Sequence, residues 1–346
     1  MASAPEVAVI VGDYGRRRYL PSAVRSLAAQ TLPRDRFEVV VTKTYRDPEL
    51  DRTLAAFGAT VLFDQEPRIG RWLRRALDAS RAPIVTFLDD DDEFEPDRLA
   101  HVLSVYREYP DLTFYRNRVT VIDGDGRPIP PERWRSLETD AAFDALGPIH
   151  LGSGTDARLL EFATHRSSAT FNSSTMAFRR ELLDDEPGAA FERTQLPDQF
   201  FFLAALLSRR GVFLDDRRLT RYRFYPGNVT RGVPWLGRAE DSYRDMARLA
   251  TRFDRPDLAA WLSGRATHYG RMFRGSSLVD RVAAGAARRE VAERTGEYLR
   301  YLGRHPEERR WTLDTWAAGV YGVGYLPFAP LVARLARARL SVRAAG

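Results

Sequence analysis

The sequence predicts an α/β fold, a mostly parallel sheet flanked by helices and followed by a helical C-terminal region. Three observations lead there. Short apolar runs alternate with helical patterns through the first hundred residues, each run is continuous rather than alternating, and the pattern is helical throughout from Trp235 onward. Continuous apolar strands are buried on both faces, and repeated strand–helix–strand units place parallel neighbours side by side under helices.

The strands are VAVIV (7–11), FEVVV (37–41), TVLF (60–63) and IVTFL (84–88). Between them Leu20, Val24, Leu27 and Ala28 recur at helical spacing, Pro48 opens a helix ending near Gly58, and residues 69–79 form a third. Pro96, flanked by acids, opens a fourth. TFYRNRVTVIDGDGRPI is expected to form two strands, the second closing on a turn at Asp125 and Gly126. Residues 127–165 have little periodicity and several Pro and Gly, which suits an insertion or loop. A helix from Pro197 to Arg210 and a strand pair ending in RLTRYRFYPGN complete a first domain, 1–232, and leave 233–346 as the helical region.

Composition excludes several chemistries. The 346 residues contain no cysteine, which removes disulfides, thiolate metal sites and cysteine nucleophiles. The start lacks the basic and apolar segments of a secretory signal, so a cytoplasmic location is expected. Net charge is +6, and Lys43 is the sole lysine, so the basic residues are almost all arginine. Arginine suits anionic ligands through its planar fork, but a genome-wide preference for arginine codons is the better account of the excess. The basic residues are interleaved with acids along the chain, so no nucleic-acid partner is expected. The five histidines show no ligand spacing, GDYG lacks the third glycine of a dinucleotide fingerprint, and neither a Gly-Lys-Ser/Thr phosphate loop nor a serine-hydrolase elbow is present.

The segment IVTFLDDDDEFEPDRL (84–99) sets Asp89, Asp90, Asp91 and Asp92 directly after a buried strand. Open parallel sheets bind ligands outside the carboxyl ends of their strands. Carboxylates crowded there repel one another, and either their pKa values rise or a cation compensates them. Hard oxygen donors without cysteine or clustered histidine favour Mg²⁺ or Mn²⁺, and magnesium fills its shell with phosphate oxygens, which implies a phosphorylated ligand. A solvated acidic run at the positive end of the next helix is the alternative.

VTFLDDDDEFEPDRL resembles the aspartate motif of family 2 glycosyltransferases: a strand, Leu-Asp-x-Asp-Asp, then a proline-opened helix. VAVIVGDYGRRRYLPSAVRSLAAQTLPRDRFEVVV is similar to that family's first strand, helix and second strand, and LPDQFFFLAALLSRRGVFLDDRRLTRYRFYPGNVTR to its base-bearing helix and the segment after that helix. The resemblance covers roughly residues 5–232 and implies a GT-A-type, Rossmann-like fold, with 127–165 near the acceptor side. It implies an inverting transferase that moves a sugar from a nucleoside-diphosphate sugar to an acceptor hydroxyl, on a glycan, a lipid-linked glycan or a polyprenyl phosphate. Asp91 would hold the divalent metal, Asp89 would lie near the ribose and metal, and Asp90 and Asp92 would be their neighbours, Asp92 with the metal ligands and Asp90 on the nucleotide sugar. Asp198 would be the general base; on sequence alone, an acid after Pro197 at a helix start is a cap or first-turn residue.

Two departures from the family pattern stand out. Its second strand usually ends in acids that accept a bond from the nucleotide base, whereas here Thr42 and Lys43 stand there, and a lysine cannot accept. Asp13 at the neighbouring strand end is expected to supply the acceptor, with Lys43 as its partner or as a phosphate contact. Tyr225 takes the place of a histidine that helps many relatives bind metal or diphosphate. Arg68 matches a basic residue some relatives place against the nucleotide, and Arg71 is a second candidate.

Residues 316–333 run without a charge, and Leu331, Leu335, Ala338 and Val342 then share a helical face flanked by Arg334, Arg337, Arg339 and Arg343. Peripheral contact with an anionic membrane is one expectation, packing on the catalytic domain or on a second subunit the other. Two further functions stay open: a sugar nucleotidyltransferase, of whose glycine-rich basic loop GDYGRRR is a faint version, and a nucleotide-sugar- or glycan-binding relative without turnover.

Overall fold

The structure is a computed structural model and describes residues 4–130, 148–152, 170, 172–225, 233–283 and 288–308. These residues form two compact units, Met1–Phe224 with Leu249–Leu258, and Tyr225–Arg248 with Ala259–Gly346. The first unit is built on a mixed nine-stranded sheet. Its strands are β1 (Val7–Asp13), β2 (Phe37–Lys43), β3 (Thr60–Phe63), β4 (Ile84–Asp89), β5 (Glu93–Phe94), β6 (Leu112–Ile122), β7 (Ile149–Leu151), β8 (Met176–Arg179) and β9 (Gly211–Arg223). They lie in the order β3-β2-β1-β4-β8-β6-β9-β5, with β7 on β9. Helices α1 (Leu20–Ala28), α2 (Pro48–Ala56), α3 (Ile69–Asp78), α4 (Arg98–Glu108), α5 (Asp185–Phe191) and α6 (Pro197–Ser208) connect them.

The four expected apolar runs pair parallel around β1, in register Val7 with Phe37 and Val7 with Ile84. β1 is buried along its whole length, whereas β3, at the sheet edge, is only partly covered rather than buried on both faces. From β1 the chain moves outward to β2 and β3, then returns to place β4 on the other side of β1. The strand order therefore reverses between β1 and β4, and the carboxyl ends of those two strands flank the crevice where open α/β sheets take their ligands.

Beyond β4 the sheet departs from expectation. TFYRNRVTVI is one strand, β6, paired antiparallel with β8 and parallel with β9. The polar trio Arg116, Asn117 and Arg118 resembles a strand break, yet all three are buried. Asn117 donates to Thr220 Oγ1 at 3.0 Å and accepts from Arg98 Nε at 3.1 Å, so its amide is paired inside the sheet. The expected strand pair at 211–223 is likewise a single strand, β9, whose register shifts against β6 absorb its irregular pattern. β5, β8 and α5 carry no signal that the sequence pattern revealed.

Two apolar layers fix the site. On one face Val7, Val9 and Val11 pack with Leu20, Ala23, Val24 and Leu27 of α1, the helical repeat expected from spacing. On the other, α6 is apolar all round from Phe200 to Leu207 and wholly buried there. Its Phe201 ring lies 4.9 Å from Phe87 of β4 and 4.7 Å from Phe178 of β8. That aromatic contact pins the helix that begins Pro197-Asp198 against the strand that ends in Asp89.

The second unit is helical, as expected, with most of α7 (Val233–Arg252), most of α8 (Pro256–Ala283) and α9 (Arg288–Arg304). Tyr243 stacks on Tyr269 at 5.3 Å, and buried Glu240 accepts from Arg244 at 2.6 Å and Arg274 at 2.7 Å. Among the described residues no helix is long and apolar enough to cross a membrane. The C-terminal segment 316–343 lies outside the described residues, as does most of the 127–165 loop.

Gly70 shows how tightly α3 meets the segment before α6. Its N–H donates to the Thr194 carbonyl at 3.0 Å, and a Cβ at this position would sit 1.8 Å from the Phe191 carbonyl oxygen. Gly70→Ala is therefore expected to destabilise the fold by about 1–3 kcal/mol, read as a lower urea midpoint at unchanged slope. An unshifted midpoint would show that this contact yields freely.

Candidate active site

β1 ends in Asp13 and β4 in Asp89, the latter paired in register with Gly12. Leaving β1, the chain turns at Gly15, whose φ of +92° suits glycine. The Gly15 N–H donates to Asp13 Oδ1 at 2.8 Å, and the N–H groups of Tyr14 and Arg16 both donate to Asp90 Oδ2 at 3.1 Å. The Arg16 guanidinium pairs with the carboxylates of Asp90 and Asp91. Asp90 is thus held by three groups of the β1 turn.

Asp92 is held from the other side. Its Oδ2 accepts from Asn172 Nδ2 at 2.8 Å and Ser174 Oγ at 2.7 Å, and its Oδ1 from the Arg223 N–H at 3.0 Å. The buried Arg223 side chain binds the Asp91 carbonyl at 2.8 Å, Glu93 at 2.5 Å and the Asp123 carbonyl at 2.9 Å, clamping the aspartate loop from the end of β9. Ser173 donates to Asp89 Oδ1 at 3.2 Å. Asn172 takes a left-handed φ of +62°, which asparagine tolerates better than most residues.

Burial raises the pKa of Asp89 to about 6, with Asp91 adding to the rise and Arg16 and Ser173 opposing it. Burial and neighbouring charge also push Asp90 and Asp92 well up. Asp198, at the second position of α6, is pushed to about 7 by burial; the Asp89 charge adds to this, and the N–H groups of Gln199 and Asn172 oppose it. Asn172 thus lies beside both carboxyls: its side-chain amide binds Asp92, and its backbone helps lower the pKa of Asp198. Burial and the charges of Asp89, Asp90 and Asp198 keep the Tyr14 phenol neutral, and its ring packs 4.9 Å from Trp72.

Asp89, Asp91 and Asp92 each offer one carboxylate oxygen, all within 4.8 Å of one another. Hard oxygen donors at that spacing fit Mg²⁺ or Mn²⁺. Asp89 and Asp91 are the better placed donors, because hydrogen bonds already engage both oxygens of Asp92.

Asp13, the four aspartates and Asp198 are brought together at the β1–β4 crevice. Other expected residues are placed differently. Lys43 does not pair with Asp13: it forms an ion pair with Asp51 on α2 and lies 4.7 Å from the Tyr45 ring centre. The Tyr45 hydroxyl stands beside Asp13, and burial and that carboxylate push its pKa up. Arg68, on the exposed connection from β3 to α3, and Arg71, in the first turn of α3, are held by Glu66 at 2.9 and 3.5 Å. Tyr225 is half-buried and opens the second unit. Arg16, Asn172, Ser173, Ser174 and Arg223 join the site without having been expected there; the polar run Asn172-Ser-Ser-Thr before a strand is the one legible signal among them.

Residues 8–185, just over half of the chain, match the family model for glycosyl transferase family 2. The chain belongs to that family and is a glycosyltransferase, which sets aside the nucleotidyltransferase reading. Among solved structures it is similar to residues 1–349 of S. aureus TarS in complex with UDP-GlcNAc, at 17% identity and a TM-score of 0.56 over 95% of this chain and 92% of that one. It is similar also to the mannosyltransferase PcManGT from Pyrobaculum calidifontis in complex with GDP-Man and Mn²⁺, at 17% identity and a TM-score of 0.50 over 94% and 88%. Against a longer S. aureus TarS chain, at 18% identity and a TM-score of 0.50, the match covers 78% of this chain but 43% of that one. At these identities the neighbours establish a shared GT-A fold. No curated protein matches the sequence.

The raised pKa of Asp198 has a thermodynamic consequence. In the unfolded chain the group titrates near 3.8 and in the fold near 7, so between those values the folded state holds the extra proton. Stability is then lost as pH rises from about 4 to about 7. In metal-free protein Asp198→Asn is expected to remove a downward slope amounting to at most roughly 4 kcal/mol. Urea denaturation across pH 4–8 measures it; parallel curves for wild type and variant would contradict the assignment.

Proposed function

We propose that the chain is an inverting glycosyltransferase that moves a sugar from a nucleoside-diphosphate sugar to an acceptor hydroxyl, with Asp198 as general base and a divalent ion held by Asp91 and Asp89. The observation that carries this reading is the juxtaposition of Asp198 with the aspartate loop, the Asp89 charge bearing on Asp198 at the carboxyl end of β4. UDP-GlcNAc in the TarS complex, and GDP-Man with Mn²⁺ in the PcManGT complex, support the donor class and the ion.

The buried α6 gives Asp198 a fixed position, and its pKa of about 7 lets it accept a proton near neutrality while still returning it readily. Asp198 takes the proton of the acceptor hydroxyl as that oxygen attacks the anomeric carbon from the face opposite the diphosphate. One displacement inverts the configuration. When bound, the divalent ion neutralises the charge that develops on the leaving diphosphate. Asp91 and Asp89 orient that end of the donor, and Asp92, locked by Asn172, Ser174 and Arg223, keeps the loop in place. Asp13 serves as acceptor for the nucleobase, replacing the acid absent from the end of β2, while Lys43 is committed to Asp51. The acceptor is a glycan, a lipid-linked glycan or a polyprenyl phosphate.

Asp198→Asn is expected to lower transfer about 10²–10⁴-fold while leaving donor binding by calorimetry intact. Asp91→Asn is expected to abolish metal-assisted donor binding. The opposite pattern would show the roles to be exchanged, and binding without turnover by wild type would favour a non-catalytic relative. In wild type kcat/KM is expected to rise with pH through about 7 as Asp198 loses its proton; a profile flat from pH 5 to 8 would contradict it as the base.

A further inference from the structure

The β1 turn does more than close the crevice. It carries an arginine whose charged end lies among the carboxylates assigned to the ion. Arg16 contributes its N–H to Asp90 Oδ2 and its guanidinium to the other oxygen of Asp90 and to Asp91 Oδ2. Its side chain is only 16% exposed, Asp90 and Asp91 are 0% and 3% exposed, and its guanidinium lies 5.2 Å from the Tyr14 ring centre. A guanidinium seated this way is a built counter-charge rather than a surface arginine that happens to meet an acid.

Asp90 and Asp91 differ in their other partners. Asp90 is tied to the backbone of the β1 turn and is not among the three carboxylates spaced for a metal, whereas Asp91 is. The same Asp91 carboxylate is therefore presented to two cations. A magnesium ion sits about 2.0–2.1 Å from a ligating oxygen, and a guanidinium paired with the same carboxylate would repel it. We infer that Arg16 is a resident counter-cation for the aspartate loop, held on Asp91 when no ion is present and displaced from Asp91 when a divalent ion enters, while its backbone stays on Asp90.

This rests on the proposed ion site at Asp89 and Asp91, and it has two consequences for the chain. Without an ion, Arg16 offsets the crowded carboxylates and keeps the loop folded. With an ion, the release of Arg16 opposes binding, so the ion binds weakly alone and gains most when a diphosphate arrives to share its charge. Arg16 is thus a positioning residue that sets the order in which ion and donor bind.

Mn²⁺ binding to the full chain without nucleotide, followed by calorimetry and by the paramagnetic resonance of free Mn²⁺, tests this. Arg16→Met keeps a stem over Tyr14 and removes the charge; it is expected to bind Mn²⁺ about ten-fold more tightly than wild type. Arg16→Lys, which keeps a charge without the fork, should fall between them. Affinity that is unchanged or weaker in Arg16→Met overturns the inference, because a merely structural arginine leaves ion affinity alone or supports it. If that variant fails to fold, wild type decides: on titration with Mg²⁺ the Arg16 Nε–H signal should shift and exchange faster with water, and a signal unmoved at saturating Mg²⁺ overturns the inference. Binding of UDP and GDP to the same proteins at saturating Mn²⁺ separates the two levels. If neither nucleotide binds any form, the transferase reading fails, while ion affinities ordered Arg16→Met, Arg16→Lys, wild type still support the exchange at Asp91.

Discussion

The structure is organised around like charge packed into a small volume. Four consecutive aspartates leave β4 where the strand order reverses, Asp13 ends the neighbouring strand, and Asp198 stands beside them at the start of α6. Burial, with added repulsion between neighbours, drives the carboxyls of Asp89, Asp90, Asp92 and Asp198 toward their neutral forms. Keeping the loop in one conformation takes donors from several elements: the β1 turn on Asp90, the Asn172–Ser174 segment on Asp89 and Asp92, and Arg223 on the loop backbone. So much negative charge, held by hydrogen bonds from three sides, is what the proposed cation and phosphate-bearing guest would meet.

The proposed roles of the individual acids come from how each is held. Asp90 and Asp92 have most of their hydrogen-bonding capacity satisfied inside the protein and act as anchors. Asp89 and Asp91 keep donor oxygens close to one another. Asp198 differs again: its helix packs on Phe87 and Phe178, the charge of Asp89 bears on it, and its pKa falls near the working range of a general base. In the proposed reading, burial and partners separate carboxylates of one chemical type into anchor, ligand and base.

Much of this is legible in the sequence. The parallel strands are continuous apolar runs, α1 shows its core face at helical spacing, and the aspartates come directly after the buried strand β4, so the class of fold and the location of the site can be reasoned from pattern. The misses have physical reasons. β6 and β9 look broken because their polar centres, Arg116 to Arg118 and Asp215 to Arg218, are accommodated by pairing partners far away in sequence. Lys43 looks available to Asp13 because strand register sets the two side by side; its actual partner, Asp51, lies on a helix whose packing register no short motif reveals. Asn172 and Arg223 reach the aspartates across 80 and 131 residues, and separations of that kind are fixed by the sheet, not by local pattern. Arg16 stands in plain view within GDYGRRR, among three arginines of which the turn at Gly15 directs this one onto Asp90 and Asp91.

The central claim is that the buried aspartates require a cation that also grips a diphosphate. Calorimetric titration of the wild-type chain with UDP and GDP, once in EDTA and once in Mn²⁺, tests it most directly. Binding of at least one nucleotide in Mn²⁺ that is lost in EDTA is the result this account predicts. Equal affinity under both conditions would contradict it.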